Sequence, residues 1–211
     1  VTFTGVPVEA LDFYEDLEND NTKSFWTKHQ SVYETAVRDP MRALAQTLTS
    51  EFGPVHFFRP YRDVRFARDK SPYKTQQGFS VGPHYAHVSA AGLFVAVGYY
   101  RMASDQVERY RSAVDEDRSG VRLTQHIKQL RERGYVVDGD MLKTKPRGYA
   151  ADHPRLELLR YRTLMGWRDI GAPAWLHSAE AVDHIAAAWR ELTPLRRWLD
   201  EYVGPSNQPS R

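Results

Sequence analysis

A change of period at Gly53-Pro54 constrains this chain more than any other feature. Before it, apolar residues recur every three or four positions: Ala10, Leu11, Tyr14 and Leu17, then Phe25, His29, Tyr33, Val37, Leu44 and Leu48. That spacing lays one apolar stripe along a helix and predicts helices near residues 8–19 and 21–52. Asp39-Pro40 interrupts the second, because Pro40 has no N–H to donate and its ring clashes with the carbonyl of residue 36. A kink, or a new helix capped by Asp39, is expected. After Gly53-Pro54 the period is two and Val, Phe and Tyr are enriched, which predicts strands near 55–58, 62–66, 76–81, 85–89 and 93–99. Ser89-Ala90-Ala91-Gly92 is a short connection whose glycine can take positive φ, so the last two strands are expected to pair antiparallel.

Helical spacing then returns. Ser104 and Asp105 are expected to cap a helix to about Asp117, and Ser119 another to Gly134. Asp138-Gly139-Asp140 reads as a hairpin turn joining 135–137 to 141–143. Asp152 and Pro154 suit the start of a short helix, a strand near 164–167 follows, and Ser178 caps a final amphipathic pair that restarts at Pro194. Gly204–Arg211 is a polar tail, expected to be disordered. Strands in one run, bracketed by helices in runs, give an α+β class. The expected architecture is a single domain over residues 1–203, with a mainly antiparallel sheet from about 55–100 packed with N-terminal, central and C-terminal helices.

Composition narrows the chemistry. With 41% hydrophobic and 27% charged residues in 211, the chain belongs with folded globular sequences. It has no cysteine, which excludes disulfides, thiol catalysis, iron–sulfur clusters and thiolate zinc sites. His84 and His87 are three apart across an expected turn and strand and point to different sides, so no metal site is expected there. No phosphate-loop, dinucleotide-binding, zincin or nucleophile-elbow motif occurs, and no cofactor is expected. Without an 18-residue apolar run or a signal-peptide core at its start, the chain is expected to be soluble, cytoplasmic and free of membrane contact. Its oligomeric state is left open.

The formal charge of +2 is unevenly spread. Residues 1–58 hold four basic and nine acidic side chains; residues 59–74 hold six and two; residues 143–168 hold seven and two. An acidic first quarter argues against a uniform nucleic-acid coat and for a bounded patch that attracts anions.

The densest polar stretch runs from Arg59 to Thr75. With 62–66 as a strand, Arg62, Val64 and Phe66 share one face, and Asp63 lies with Arg65 on the other. On that reading Asp63 is buried between guanidiniums, and Asp63→Ala should cost far more stability than Lys74→Ala. Pro72 forces a turn that presents Lys70, Tyr73 and Lys74. Guanidiniums, an ammonium and a phenol are groups that hold phosphate or carboxylate, with Asp63 and Asp69 as orienting partners. The same residues could equally form an Arg–Asp network that knits the fold together. A second basic segment, Lys143 to Tyr149, leads to Asp152-His153-Pro154. There Gly148 would let backbone amides approach an anion, or simply make a turn.

Arg59, Arg62, Asp63, Arg65 and Phe66, followed by Asp69-Lys70 and Tyr73, resemble the hallmark of an uncharacterised family, mainly bacterial and sparsely fungal, catalogued as domain of unknown function 2461. Phe25-Trp26, Pro146-Arg147-Gly148-Tyr149 and His153-Pro154 extend the resemblance over most of the chain. It implies one α+β domain and, since the family has no established activity, carries over no catalytic residue. The residues themselves point to a pocket for a small phosphate- or carboxylate-bearing ligand, with Arg59, Arg62, Arg65, Lys70, Lys74 and Arg147 as binding groups. Asp63, Tyr73 and His153 are the candidates for general acid–base chemistry. The alternative is a non-enzymatic interaction module touching protein or nucleic-acid phosphates, with nucleic acid the less favoured partner.

Overall fold

The computed structural model describes residues 2–65 and 68–208. Its strands are β1 (Val55–Phe57), β2 (Gln76–Val81), β3 (His84–Ser89), β4 (Gly92–Tyr99), β5 (Val136–Asp138) and β6 (Leu164–Gly171). They form one antiparallel sheet in the order β1-β2-β3-β4-β6-β5, and with the helices around them the chain is α+β, as expected. Two compact units divide it: residues 1–95 with 169–188, and residues 96–168 with 189–211.

In the first unit, α1 (Glu9–Asn19) buries Ala10, Phe13, Tyr14 and Leu17. Thr22 caps α2 (Lys23–Val32) by accepting from the Phe25 N–H at 3.2 Å. A new helix begins at Asp39-Pro40, as one of the two expectations had it, although the helical run is continuous through it. A π-helical stretch, Tyr33–Arg38, leads into α3 (Asp39–Thr47), and Pro40 falls in the first turn of α3, the position in a helix that tolerates proline best. Asp39 does not cap; its carboxylate takes Arg38 Nε at 2.8 Å. A short α4 (Thr49–Phe52) ends at Gly53, whose φ of 107° is open to glycine alone at little cost. β1 and β2 pair with Phe57 opposite Phe79, and β2 and β3 with Phe79 opposite Ala86. Phe79, Val81, Ala86 and Val88 are fully buried.

The expected strand at 62–66 is absent from its described part. Tyr61 makes one isolated bridge to Tyr73, and Arg62 to Arg65 continue as irregular backbone. Phe66, on which half of that reading rested, lies outside the described residues.

In the second unit, α5 (Ser104–Asp115) begins with Gln106 accepting from the Ala103 N–H at 2.9 Å, so neither Ser104 nor Asp105 serves as its cap. α6 (Asp117–Glu132) is capped by Glu116, not Ser119. The Glu116 carboxylate accepts from Arg118 N and Ser119 N, which leaves the Ser119 hydroxyl to donate to the Ala113 carbonyl. The hairpin expected around Gly139 does not form. β5 pairs with β6, Val137 opposite Gly166, and residues 140–142 continue alongside 160–163 through Arg162 N to Asp140 O and Leu142 N to Arg160 O. After α7 (Leu156–Leu159), the short helix expected from Asp152, the chain reaches β6 and then a 3-10 turn, Ala174–His177. α8 (Ala181–Tyr202) runs unbroken through Pro194, because Leu192, Leu195, Trp198 and Leu199 keep one fully buried face across it. The first residues of the expected tail are engaged: Asp105 accepts from Ser206 Oγ and Asn207 N, and Arg109 donates to the carbonyls of Val203 and Pro205. No helix among the described residues is long and apolar enough to cross a membrane.

Candidate functional site

The arginine-rich segment is a loop pinned at its base. Arg62 N donates to Pro72 O at 2.9 Å and Lys74 N to Pro60 O at 2.8 Å, on either side of the Tyr61–Tyr73 bridge. Asn21 grips the same point, donating to Tyr73 O at 3.0 Å and accepting from Tyr73 N at 3.1 Å. The Tyr73 ring stacks flat on Trp26, centroids 4.1 Å apart and 5° from parallel, and is itself buried. Burial raises its phenol pKa. A ring in this setting anchors the loop.

Beyond the base, the charges pair among themselves in solvent. Asp63 holds Arg65 at two points, Oδ1 to Nε at 3.0 Å and Oδ2 to Nη2 at 2.7 Å, with 47% and 77% of the two side chains exposed. The expected burial of Asp63 is therefore wrong: without a strand there is no inward face for it to occupy. The Arg65 hydrogen bonds still lower its carboxyl pKa. Asp69 accepts from Ser71 N and Oγ and pairs with Arg62, contacts that hold its pKa well below the usual carboxylate range. Lys70 Nζ donates to Val64 O at 3.0 Å. Arg62, Arg65 and Lys70 are thus occupied locally, whereas Arg59 is exposed and makes no ion pair among the described residues, its charge reaching Asp63 only at a distance. It lines a cavity of about 320 Å³ in the first unit together with Trp26, Tyr33, Arg42, Phe58 and Tyr61. Lys74 lies over the Phe58 ring at 5.6 Å, and burial followed by the Arg59 charge lowers its pKa.

The second basic segment borders a larger cavity, about 940 Å³, lined entirely from the second unit. α5 presents Ser104, Glu108, Arg111 and Ser112, spaced so that they fall on one face. Arg101 and Met102 enter from the end of β4, Asp140, Leu142, Arg162 and Thr163 from the extended segments beside β5 and β6, and Arg147 and Tyr149 from the basic segment. Asp140 neutralises Arg162 at 2.6 Å, and Arg111 spends Nε on Leu159 O at 3.0 Å. Arg101 and Arg147 are exposed and have no acidic partner among the described residues. Gly148 has φ of 87° and open space where a side chain would stand, so it makes the turn that carries Arg147 and Tyr149. Burial raises the Tyr149 phenol pKa.

His153 does not line this cavity. Its Nδ1 accepts from Arg155 N at 3.0 Å and its Nε2 faces Asp115 at 3.0 Å, so both ring nitrogens are committed. Asp152 is exposed and caps nothing. Among the described residues no cluster of His, Asp and Glu is arranged to hold a metal. Reading the sequence alone singled out Arg59 and Arg147 but missed Arg42, Arg101, Glu108 and Arg111. The available signal was polar residues at helical spacing on α5, which reads equally as a solvated face.

Residues 9–198 match the model of the family described as "Conserved hypothetical protein (DUF2461)". The chain belongs to that family, as its arginine-rich motif suggested. No curated protein matches it.

Proposed function

We propose that the cavity of the second unit binds a small phosphorylated or carboxylated metabolite. What carries this reading is the imbalance of its walls: Arg101 and Arg147 stand without acidic partners, in a cavity where Arg162 is already neutralised. Two guanidinium forks converging on one space match a phosphate or carboxylate. Ser112, Thr163, Tyr149 and Glu108 add hydroxyl and carboxylate groups suited to the hydroxyls of a polyol or sugar body. The volume suits a ligand of that size. With Asp140 paired to Arg162, Glu108 and Tyr149 are the wall groups through which general acid–base chemistry would run; His153, Asp63 and Tyr73 do not line this cavity. Calorimetric titration with glucose 6-phosphate and with inorganic phosphate tests the reading. Binding that weakens about tenfold in Arg101→Gln and again in Arg147→Gln supports it; no binding, or binding indifferent to both substitutions, refutes it.

A second reading rests on the exposure of Arg65 and Lys70 in the 61–73 loop. A non-enzymatic module would use such groups on nucleic-acid phosphates, and its affinity would fall steeply with salt. Absence of retention of DNA or RNA at low salt in a gel-shift experiment removes it.

A further inference from the structure

The 320 Å³ cavity of the first unit differs in kind from the one above. Five aromatic side chains line it: Trp26, Tyr33, Phe57, Phe58 and Tyr61. Most of these are occupied. Trp26 is stacked on Tyr73, Phe57 lies under Arg42 at 5.2 Å and Phe58 under Lys74. Tyr61 is the least covered, with 51% of its surface exposed and its ring tilted against Tyr73 at 5.5 Å and Trp26 at 6.0 Å. A half-exposed ring held against two others is a stacking surface for another flat ring.

The cations around it are unevenly committed. Glu34 and Asp39 hold Arg38 at 3.1 and 2.8 Å. Arg42 and Arg59 have no carboxylate partner among the described residues, and Glu34 is the one acidic side chain among the lining residues. The Tyr33 hydroxyl is turned inward, donating to buried Gln77 at 2.7 Å, so it does not compete for a ligand. An open aromatic face beside two unpaired guanidiniums selects a ligand that is flat at one end and anionic at the other.

We infer that this cavity binds a planar aromatic ring bearing a phosphate, as in a nucleoside monophosphate. The ring lies on Tyr61 and the phosphate meets Arg59 and Arg42. This site shares no lining residue with the cavity of the second unit, and it stands or falls separately.

The experiment is calorimetric titration of the full chain carrying both Arg101→Gln and Arg147→Gln, which together remove the two unpaired guanidiniums of the other cavity. The probes are adenosine 5′-monophosphate, phenyl phosphate, adenosine and ribose 5-phosphate. The two aromatic phosphates are expected to bind, and adenosine and ribose 5-phosphate to bind at least about tenfold more weakly. Arg59→Gln should weaken the monophosphate about tenfold and leave adenosine unchanged. Tyr61→Ala should weaken both, while Tyr61→Phe, which keeps the ring, restores them. Failure of both aromatic phosphates to bind, equal binding of ribose 5-phosphate, or affinity indifferent to Arg59→Gln and Tyr61→Ala overturns the inference.

Discussion

Asn21 satisfies both backbone groups of Tyr73, donating to its carbonyl at 3.0 Å and accepting from its N–H at 3.1 Å across 52 residues of sequence. A side-chain amide here takes the place that a neighbouring strand would fill, and so holds the loop base without a strand. Asn21→Ala is expected to cost about 1–3 kcal/mol in urea unfolding, because it strands two partly buried polar groups. Asp63→Ala, in the exposed part of the same loop, should leave the midpoint within error of wild type and of Lys74→Ala. A loss at Asp63 as large as at Asn21 would contradict the loop described here.

Gln77 is the second fixture under the motif. Buried between Tyr33 and β1, it accepts from the Tyr33 hydroxyl at 2.7 Å and donates to the Phe58 carbonyl at 2.8 Å. Gln77→Leu leaves both groups unpaired and is expected to cost about 2–3 kcal/mol; Tyr33→Phe, which removes one bond, should cost about 1 kcal/mol. Chemical denaturation of the two variants checks the order.

Acid should find a weak point at His87. Its ring stacks on Phe94 at 4.7 Å, Nδ1 is buried without a partner among the described residues, and burial lowers its pKa to about 4. The folded chain therefore keeps this ring neutral, while the unfolded chain takes up a proton near the usual pKa of about 6.5. Stability from this residue is complete above about pH 6.5, declines as pH falls, and levels off below about pH 4, a total of about 3 kcal/mol. Urea midpoints measured between pH 7 and 4 should fall less in His87→Leu than in wild type.

Pro194 lies on the exposed side of α8, inside a helix that runs on without a break. It supplies no N–H for the residue four positions earlier, and its removal should help. Pro194→Ala is expected to stabilise by about 1–2 kcal/mol after allowing for the more flexible unfolded chain. Differential scanning calorimetry reads this directly as a raised Tm.

Much of the helical framework was legible because long apolar stripes leave few alternatives: Ala10, Tyr14 and Leu17 can share a face only on a helix. The loop at 61–73 was not, since Arg62, Val64 and Phe66 alternate as a strand would. What decides against a strand is the pairing of Tyr61 with Tyr73 and the grip of Asn21, and neither leaves a local mark. Ser119 misled for a different reason: the helix begins three residues earlier, where the Glu116 carboxylate accepts from Arg118 N and Ser119 N. Of the two cavities, sequence reading caught Arg59 and Arg147 through local charge density. Arg42, Arg101 and Arg111 join them only after the chain folds back over tens of residues, and a single sequence does not encode that adjacency in any readable period.

The tyrosine bridge at the mouth of the arginine loop has a practical reach. Tyr61 and Tyr73 are already in register, so the chain between them can be replaced by a tight turn without altering the pairing of β2 and β3 or the grip of Asn21. Such an excision would erase most of the arginine-rich segment while sparing Arg59, Tyr61 and both cavities. In a cell it would act as a separation-of-function allele: a phenotype would belong to the exposed charges of the loop, and its absence would return attention to the pockets.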